Sequence, residues 1–230
     1  MLLVVVMVNL GFWQLRRLHG RRADNALVLA HSTQPTVPIE SVASPGTKGD
    51  DLDALRYRAV SATGTYDQSK TFVVASRTSD SGAPGGWVIT PLHVGDDTVL
   101  VNRGFSGLQP DGTTPAPPAP SGTVTVDGYT LAISGFDNIA HHDFDDARGA
   151  TTNGLPVVLQ AKSSTPADDA SLKPVPLPPL DEGPHLSYAI QWFIFSAIAV
   201  IGYPFALRRA AVKMEQDAKA KQDTTQPTPA

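Results

Sequence analysis

Apolar residues crowd the two ends of the chain, and between them short runs of alternating apolar and polar residues are broken by Gly, Asp and Pro. The longest uncharged run is LSYAIQWFIFSAIAVIGYPFAL, Leu186 to Leu207. As a helix rising about 1.5 Å per residue it reaches about 33 Å, enough to cross a hydrocarbon layer of about 30 Å. Asp181, Glu182 and Pro184 precede it and suit a helix N-terminus. Arg208, Arg209 and Lys213 follow it, which by the positive-inside rule places the C-terminus in the cytoplasm. The alternative, a buried helix of a soluble core, is disfavoured by the length.

Residues 1 to 15, MLLVVVMVNLGFWQL, are also apolar but end at Arg16, after about 22 Å of helix. A signal peptide would carry a basic start and a small-residue cleavage site; Arg16, Arg17, Arg21 and Arg22 follow the run directly instead. The expectation is an uncleaved anchor whose first residues precede this chain. Two spans put both termini on one side, so these arginines fall outside the cytoplasm, against the usual bias. The second segment carries the orientation, because its two flanks differ in sign.

Six stretches between the ends read as strands: Tyr57 to Tyr66, Thr71 to Arg77, Trp87 to His93, Thr98 to Phe105, Thr123 to Leu131 and Leu155 to Ala161. β-branched and aromatic residues recur there at near-alternate positions, bounded by turn formers. Their spacing predicts a small antiparallel barrel or sandwich. PDGTTPAPPAP at 110–120 and KPVPLPPLDEGP at 173–184 are extended connectors, since proline suits neither a strand interior nor a helix interior. The polar tail after Met214 is expected to be disordered.

Composition narrows the chemistry. With no cysteine among 230 residues, disulfides, thiolate metal sites and C-x-x-C-H haem attachment are excluded. Residues 23–184 carry 19 acidic and 9 basic residues, a net −10, which argues against nucleic-acid binding. There is no G-x-S-x-G, no S-x-x-K and no glycine-rich phosphate loop, so an enzyme is not supported. HHDFDD at 141–146 offers imidazoles and carboxylates to a divalent metal, but adjacent side chains diverge in an extended segment, and a solvated loop is the better reading. Arg103 ends a strand; it meets either an anionic group bidentately or a surface carboxylate.

His185 stands at the mouth of the second span. On a helix His185, Tyr188, Trp192 and Phe195 follow i, i+3, i+7, i+10 spacing and share one stripe. Such a stripe either ligates haem iron through the imidazole with aromatic packing around the macrocycle, or is an aromatic belt at a membrane interface.

LGFWQLRRL at 10–18, YRAVSATGTY at 57–66, VITPLHVGDDTVLVNRGF at 88–105 and PHLSYAIQWFIFSA at 184–197 resemble the successive signatures of the Surfeit locus protein one family, in the expected order over nearly the whole chain. GPHLSYAIQWFIF is similar to the actinobacterial branch. FSG stands at 105–107 where many members carry Trp-Val-Pro, and Gly20 occupies a place often held by Trp. The resemblance implies an assembly factor for haem-copper cytochrome c oxidase, assisting the binding of haem a or its insertion into subunit I. It also implies partners in subunit I and the haem a synthesis machinery. His185 matches the histidine proposed to contact haem, Tyr188 and Trp192 match the rest of that motif, and Gly11, Trp13, Gln14 and Arg17 match the first-helix motif. Gly64, Asn102, Arg103 and Gly104 match the loop motifs.

The expected protein is therefore a bacterial plasma-membrane protein with its β domain extracytoplasmic and both termini cytoplasmic. Residues 1–18 and 185–208 are its transmembrane helices, 23–184 its antiparallel β domain, and 209–230 a disordered tail. A site at the lipid–water boundary holds the apolar tail of haem a in lipid while Arg16, Arg17 or Arg103 meets the propionates. His185 is the expected iron ligand, and His19 a second one by its shared depth. A rival expectation is a membrane scaffold that stabilises an oxidase assembly intermediate without holding haem, through the acidic β domain and the Pro-rich arms.

Overall fold

The computed structural model describes residues 2–133 and 138–225, with side chains at 2–133 and 142–217. The chain forms two compact units. One joins residues 1–25 to 181–230; the other is Ala26–Leu180.

The first unit is an antiparallel helix pair. Helix α1 is Leu2–Ser32, whose residues up to Asn25 belong to this unit. It does not end at residue 18: Arg, Leu and Ala are strong helix formers, and the exposed Gly20 costs only about 1 kcal/mol relative to Ala. The partner helix, which we number α4, is His185–Thr225. It too runs past its expected end, because the Ala-, Lys- and Gln-rich residues after Arg209 favour helix; the expected disordered tail is helical to Thr225, and 226–230 lie outside the described residues. Met7, Gly11 and Leu18 are buried and Gln14 half-buried, a 4-3-4 spacing that makes one seam along α1. On α4 the buried positions are Ala189 and Ser196. The other faces carry exposed Leu3, Val6, Ile190, Ile194, Ile198 and Ile201. Among the described residues one helix, His185–Asp217, is long and apolar enough to cross a membrane, and nearly all of its surface is exposed. A soluble core helix would hide that surface.

The second unit is built on a seven-stranded sheet: β1 (Val37–Pro38), β2 (Ala59–Tyr66), β3 (Phe72–Thr78), β4 (Pro84–Val94), β5 (Asp97–Gly107), β6 (Thr123–Ala132) and β7 (Gly154–Thr165). Helix α2 (Asp50–Asp53) is a single turn before β2, and α3 (Asn138–Gly149) lies between β6 and β7. The order is β1-β2-β6-β7-β5-β4-β3. All six expected strands are present, but the sheet is mixed rather than antiparallel, since β5/β7 and β1/β2 run parallel. Nor is it a closed barrel. It curls until the end of β2 touches β4 through two residue pairs only, Thr65 with His93 and Tyr66 with Leu92. Gly64 permits that corner, because a Cβ there would run into the His93 carbonyl oxygen.

Curling encloses one core, to which β2, β4, β5, β6 and β7 contribute Val60, Leu92, Val101, Val126 and Leu159. A second core on the other face gathers Val74, Ile89, Leu100, Val158 and Phe144. Strand β5, between β7 and β4, serves both, so Val99 to Ser106 are buried without alternation. Strand β6, between β2 and β7, alternates instead, with Val124 and Val126 inward and Thr125 and Asp127 outward. Phe144 corrects the loop expected at HHDFDD: the segment is helix α3, held to the sheet by that fully buried ring, whose burial contributes about 1.5–3 kcal/mol.

Candidate cofactor site on the helix pair

The entry into α4 is shaped by a tight turn. The Gly183 N–H donates to Asp181 Oδ1 at 3.0 Å, Gly183 takes a φ of +64° that favours glycine, and Pro184 leads into the helix with its carbonyl accepting from Tyr188 N–H at 3.1 Å. His185 is thereby placed on the first turn, half-buried, facing α1. Its Nδ1 lies 2.9 Å from Gln14 Oε1. With Gln14 Oε1 accepting, Nδ1 carries the donated proton, and a ring with a single proton then has its lone pair on Nε2. Nε2 faces the bare Cα of Gly183, where an added Cβ would stand 3.5 Å away.

The aromatic stripe forms as its spacing requires. Trp192 and Phe195 meet edge to face with centroids 6.2 Å apart, Tyr188 and Phe195 are exposed, and Trp192 is half-buried. Going round α4, Tyr188 and Phe195 lie on the open side of His185, and Ala189 and Ser196 on the buried side.

Above this level the pair is fastened by charge. Arg22 Nε and Nη2 donate to Glu182 Oε1 and Oε2, both at 2.8 Å, while Arg21 Nε and Asn25 Nδ2 donate to the Asp181 carbonyl at 3.1 and 3.0 Å. The Arg22 guanidinium holds the Glu182 carboxyl below its usual range. Below, Phe193 lies edge-on to Phe12 at 5.4 Å and against Gly11, where a Cβ would come within 2.7 Å of the ring.

The other expected site residues lie elsewhere. Arg17 is exposed on α1, one turn from Gln14 toward Arg21. His19 is exposed; five residues beyond Gln14, it sits about 7.5 Å further along the axis and about 140° round it. The residue that α1 presents to His185 is Gln14. The signal for it was an amide interrupting the apolar run 1–15 at a heptad position with Met7, Gly11 and Leu18.

Arg103 is neither exposed nor available. Its side chain is fully buried in the sheet unit, with Nε 2.8 Å and Nη2 2.5 Å from the two Asp168 oxygens, Nη1 2.8 Å from the Pro117 carbonyl and Nη2 3.0 Å from that of Pro118. A propionate would have to displace Asp168. The expected alternative, a carboxylate partner, is present, but inside the fold. Gly104, with φ +147°, lets Lys173 close on Phe105 through paired main-chain bonds; a Cβ there would stand 2.8 Å from the Lys173 carbonyl. No set of three metal-ligating side chains occurs among the described residues, and the side chain of His141 lies outside them.

The profile of the SURF1 family matches residues 1–197. An uncharacterised SURF1-like protein of Mycobacterium bovis is 28% identical over 205 residues, covering 83% of this chain and 73% of its own. A SURF1-like protein of Rickettsia bellii is 24% identical over an alignment of 237 residues, covering 95% and 94%. Surfeit locus protein 1 of Takifugu rubripes is 33% identical over 115 residues, covering 42% and 45%. Mycobacteria are actinobacteria, so the likeness of GPHLSYAIQWFIF to that branch has a counterpart among these relatives. The match spans both helices of the pair as far as Ala197 and the whole sheet unit, and the chain belongs to the SURF1 family.

Proposed function

We propose that this protein is a membrane-embedded assembly factor for haem-copper cytochrome c oxidase that holds haem a as cargo before subunit I receives it. The observation that carries the reading is the placement of His185: one ring nitrogen is engaged by Gln14 and the other lies beside Gly183, on the first turn of an apolar helix whose Tyr188 and Phe195 are exposed. These residues fit a haem. Neutral imidazole Nε2 is an iron ligand, Tyr188, Trp192 and Phe195 offer ring faces to the macrocycle, and Arg16 and Arg17 stand exposed on α1 for propionates. Arg103 has no part, because its donors are taken. The ligand reading uses His185 alone, since His19 is turned away from the face of α1 that carries Gln14.

Both helices cross the bacterial plasma membrane in this reading, with the sheet unit outside and both termini in the cytoplasm. The pairing of Arg21 and Arg22 with Asp181 and Glu182 supports that orientation. Half of the arginine cluster is neutralised locally, leaving Arg208, Arg209 and Lys213 to set the bias. Subunit I and the haem a synthesis machinery are the partners.

Deleting the gene tests this. Oxidase subunit I should accumulate as polypeptide while its haem a falls, and full-length protein purified in detergent should carry haem a. Loss of the subunit I polypeptide itself, with colourless purified protein, would favour a scaffold that stabilises the subunit.

A further inference from the structure

Resting on that reading, we infer that Gln14 is a positioning residue: it fixes the His185 tautomer so that Nε2, beside Gly183, is left as the acceptor, and as an amide it keeps the histidine's grip on iron weak enough to release. The bond crosses from one helix to the other, and both groups are half-buried, where an unpaired imidazole N–H is costly. Free histidine distributes its proton between both nitrogens. Here the acceptor-only Oε1 selects Nδ1–H, and with it the direction in which the lone pair points. Gly183 completes the arrangement. Any side chain there would stand in ordinary contact with Nε2 and Cδ2 and cover the acceptor, besides opposing the φ of +64°.

The choice of amide over carboxylate carries the functional consequence. A carboxylate accepting from Nδ1–H raises the basicity of the imidazole most, because it is charged, although resident metal sites use a carboxylate, a backbone carbonyl or water in that place. A neutral amide orients the ring and adds less of that strength than a charged carboxylate does. A protein that must hand its cargo on needs orientation more than tenacity.

The test compares Gln14→Met, close in size but unable to accept, with Gln14→Glu, in the full chain in bicelles. Ring ¹⁵N shifts of labelled histidine, assigned by His185→Gln, should show His185 as Nδ1–H in the wild type and in Gln14→Glu, and a shift toward Nε2–H in Gln14→Met. Haem a affinity should fall about 10–100-fold in Gln14→Met and rise in Gln14→Glu. An unchanged tautomer in Gln14→Met, with wild-type haem affinity, overturns the positioning role and leaves haem binding standing. A wild-type protein that takes up no haem a overturns the cargo reading, whatever the tautomer. If Gln14→Met fails to fold, Gln14→Glu alone decides, since affinity equal to or below the wild type contradicts the inference.

Discussion

Arg22 and Glu182 meet fork to fork across the helix pair, each carboxylate oxygen 2.8 Å from a guanidinium nitrogen. The two residues lie at the points where the chain leaves the first helix's apolar stretch and approaches the second, so a local charge pair sets the register of distant segments. Both are solvent-exposed, and the contact is valued for geometry rather than stability.

The pair titrates in a defined direction. The Glu182 carboxyl lies below its usual value near 4.5, so its contribution is present above that pH and is lost as the pH falls through the depressed value. Carboxyl ¹³C titration should place its midpoint below those of unpaired glutamates, and Arg22→Gln should return it to the ordinary range. Double reversal, Arg22→Glu with Glu182→Arg, should restore a paired state that either reversal alone breaks.

Gly11 sets how closely the helices approach. A β-branched side chain there meets the Phe193 ring, so Gly11→Val should cost about 1–3 kcal/mol and separate the Gln14–His185 contact. Thermal unfolding in detergent would measure the cost, and the Gly11→Val/Phe193→Ala double variant should recover most of it.

In the sheet unit, the Arg103–Asp168 pair ties β5 to the segment after β7 and to the Pro117 and Pro118 carbonyls. Removing one partner strands a buried charge, and Asp168→Asn should destabilise the unit by about 3–5 kcal/mol in chemical denaturation followed by near-UV circular dichroism.

Tyr66 lies beside this pair, with Arg103 over its ring at 5.7 Å and its buried hydroxyl without a hydrogen-bond partner. Burial raises its pKa far above the ordinary tyrosine value, with Asp168 adding to the shift and Arg103 opposing it. Alkaline difference spectra should show one tyrosine that ionises only as the unit unfolds. Tyr66→Phe should remove that signal and stabilise the unit by about 1 kcal/mol, since an unpaired buried hydroxyl is a net cost.

Much of this architecture was legible because its causes are local. Alternation at Thr123 to Leu131 and the uncharged run from Leu186 are read within one element, and both segments fold as that pattern requires. Adjacency was not legible. Nothing within β5 or β7 marks them as parallel neighbours, because that pairing depends on where the intervening β6 and α3 carry the chain. HHDFDD was read by its charges, and its fold followed from a single apolar residue, Phe144, whose fit to Ile89 and Val158 is a tertiary matter. The same holds at the site. His185 announced itself beside the apolar run and Gln14 stood in the first-helix motif, but their contact arises only when α1 lies antiparallel to α4.

The account turns on His185 as the residue that holds haem a. The most direct measurement is the absorption and electron paramagnetic resonance spectrum of haem a bound to the full-length protein, compared with His185→Ala in the same nanodiscs. We expect a histidine-ligated iron signal that is lost in His185→Ala and retained in His19→Ala. An unaltered spectrum in His185→Ala would contradict it.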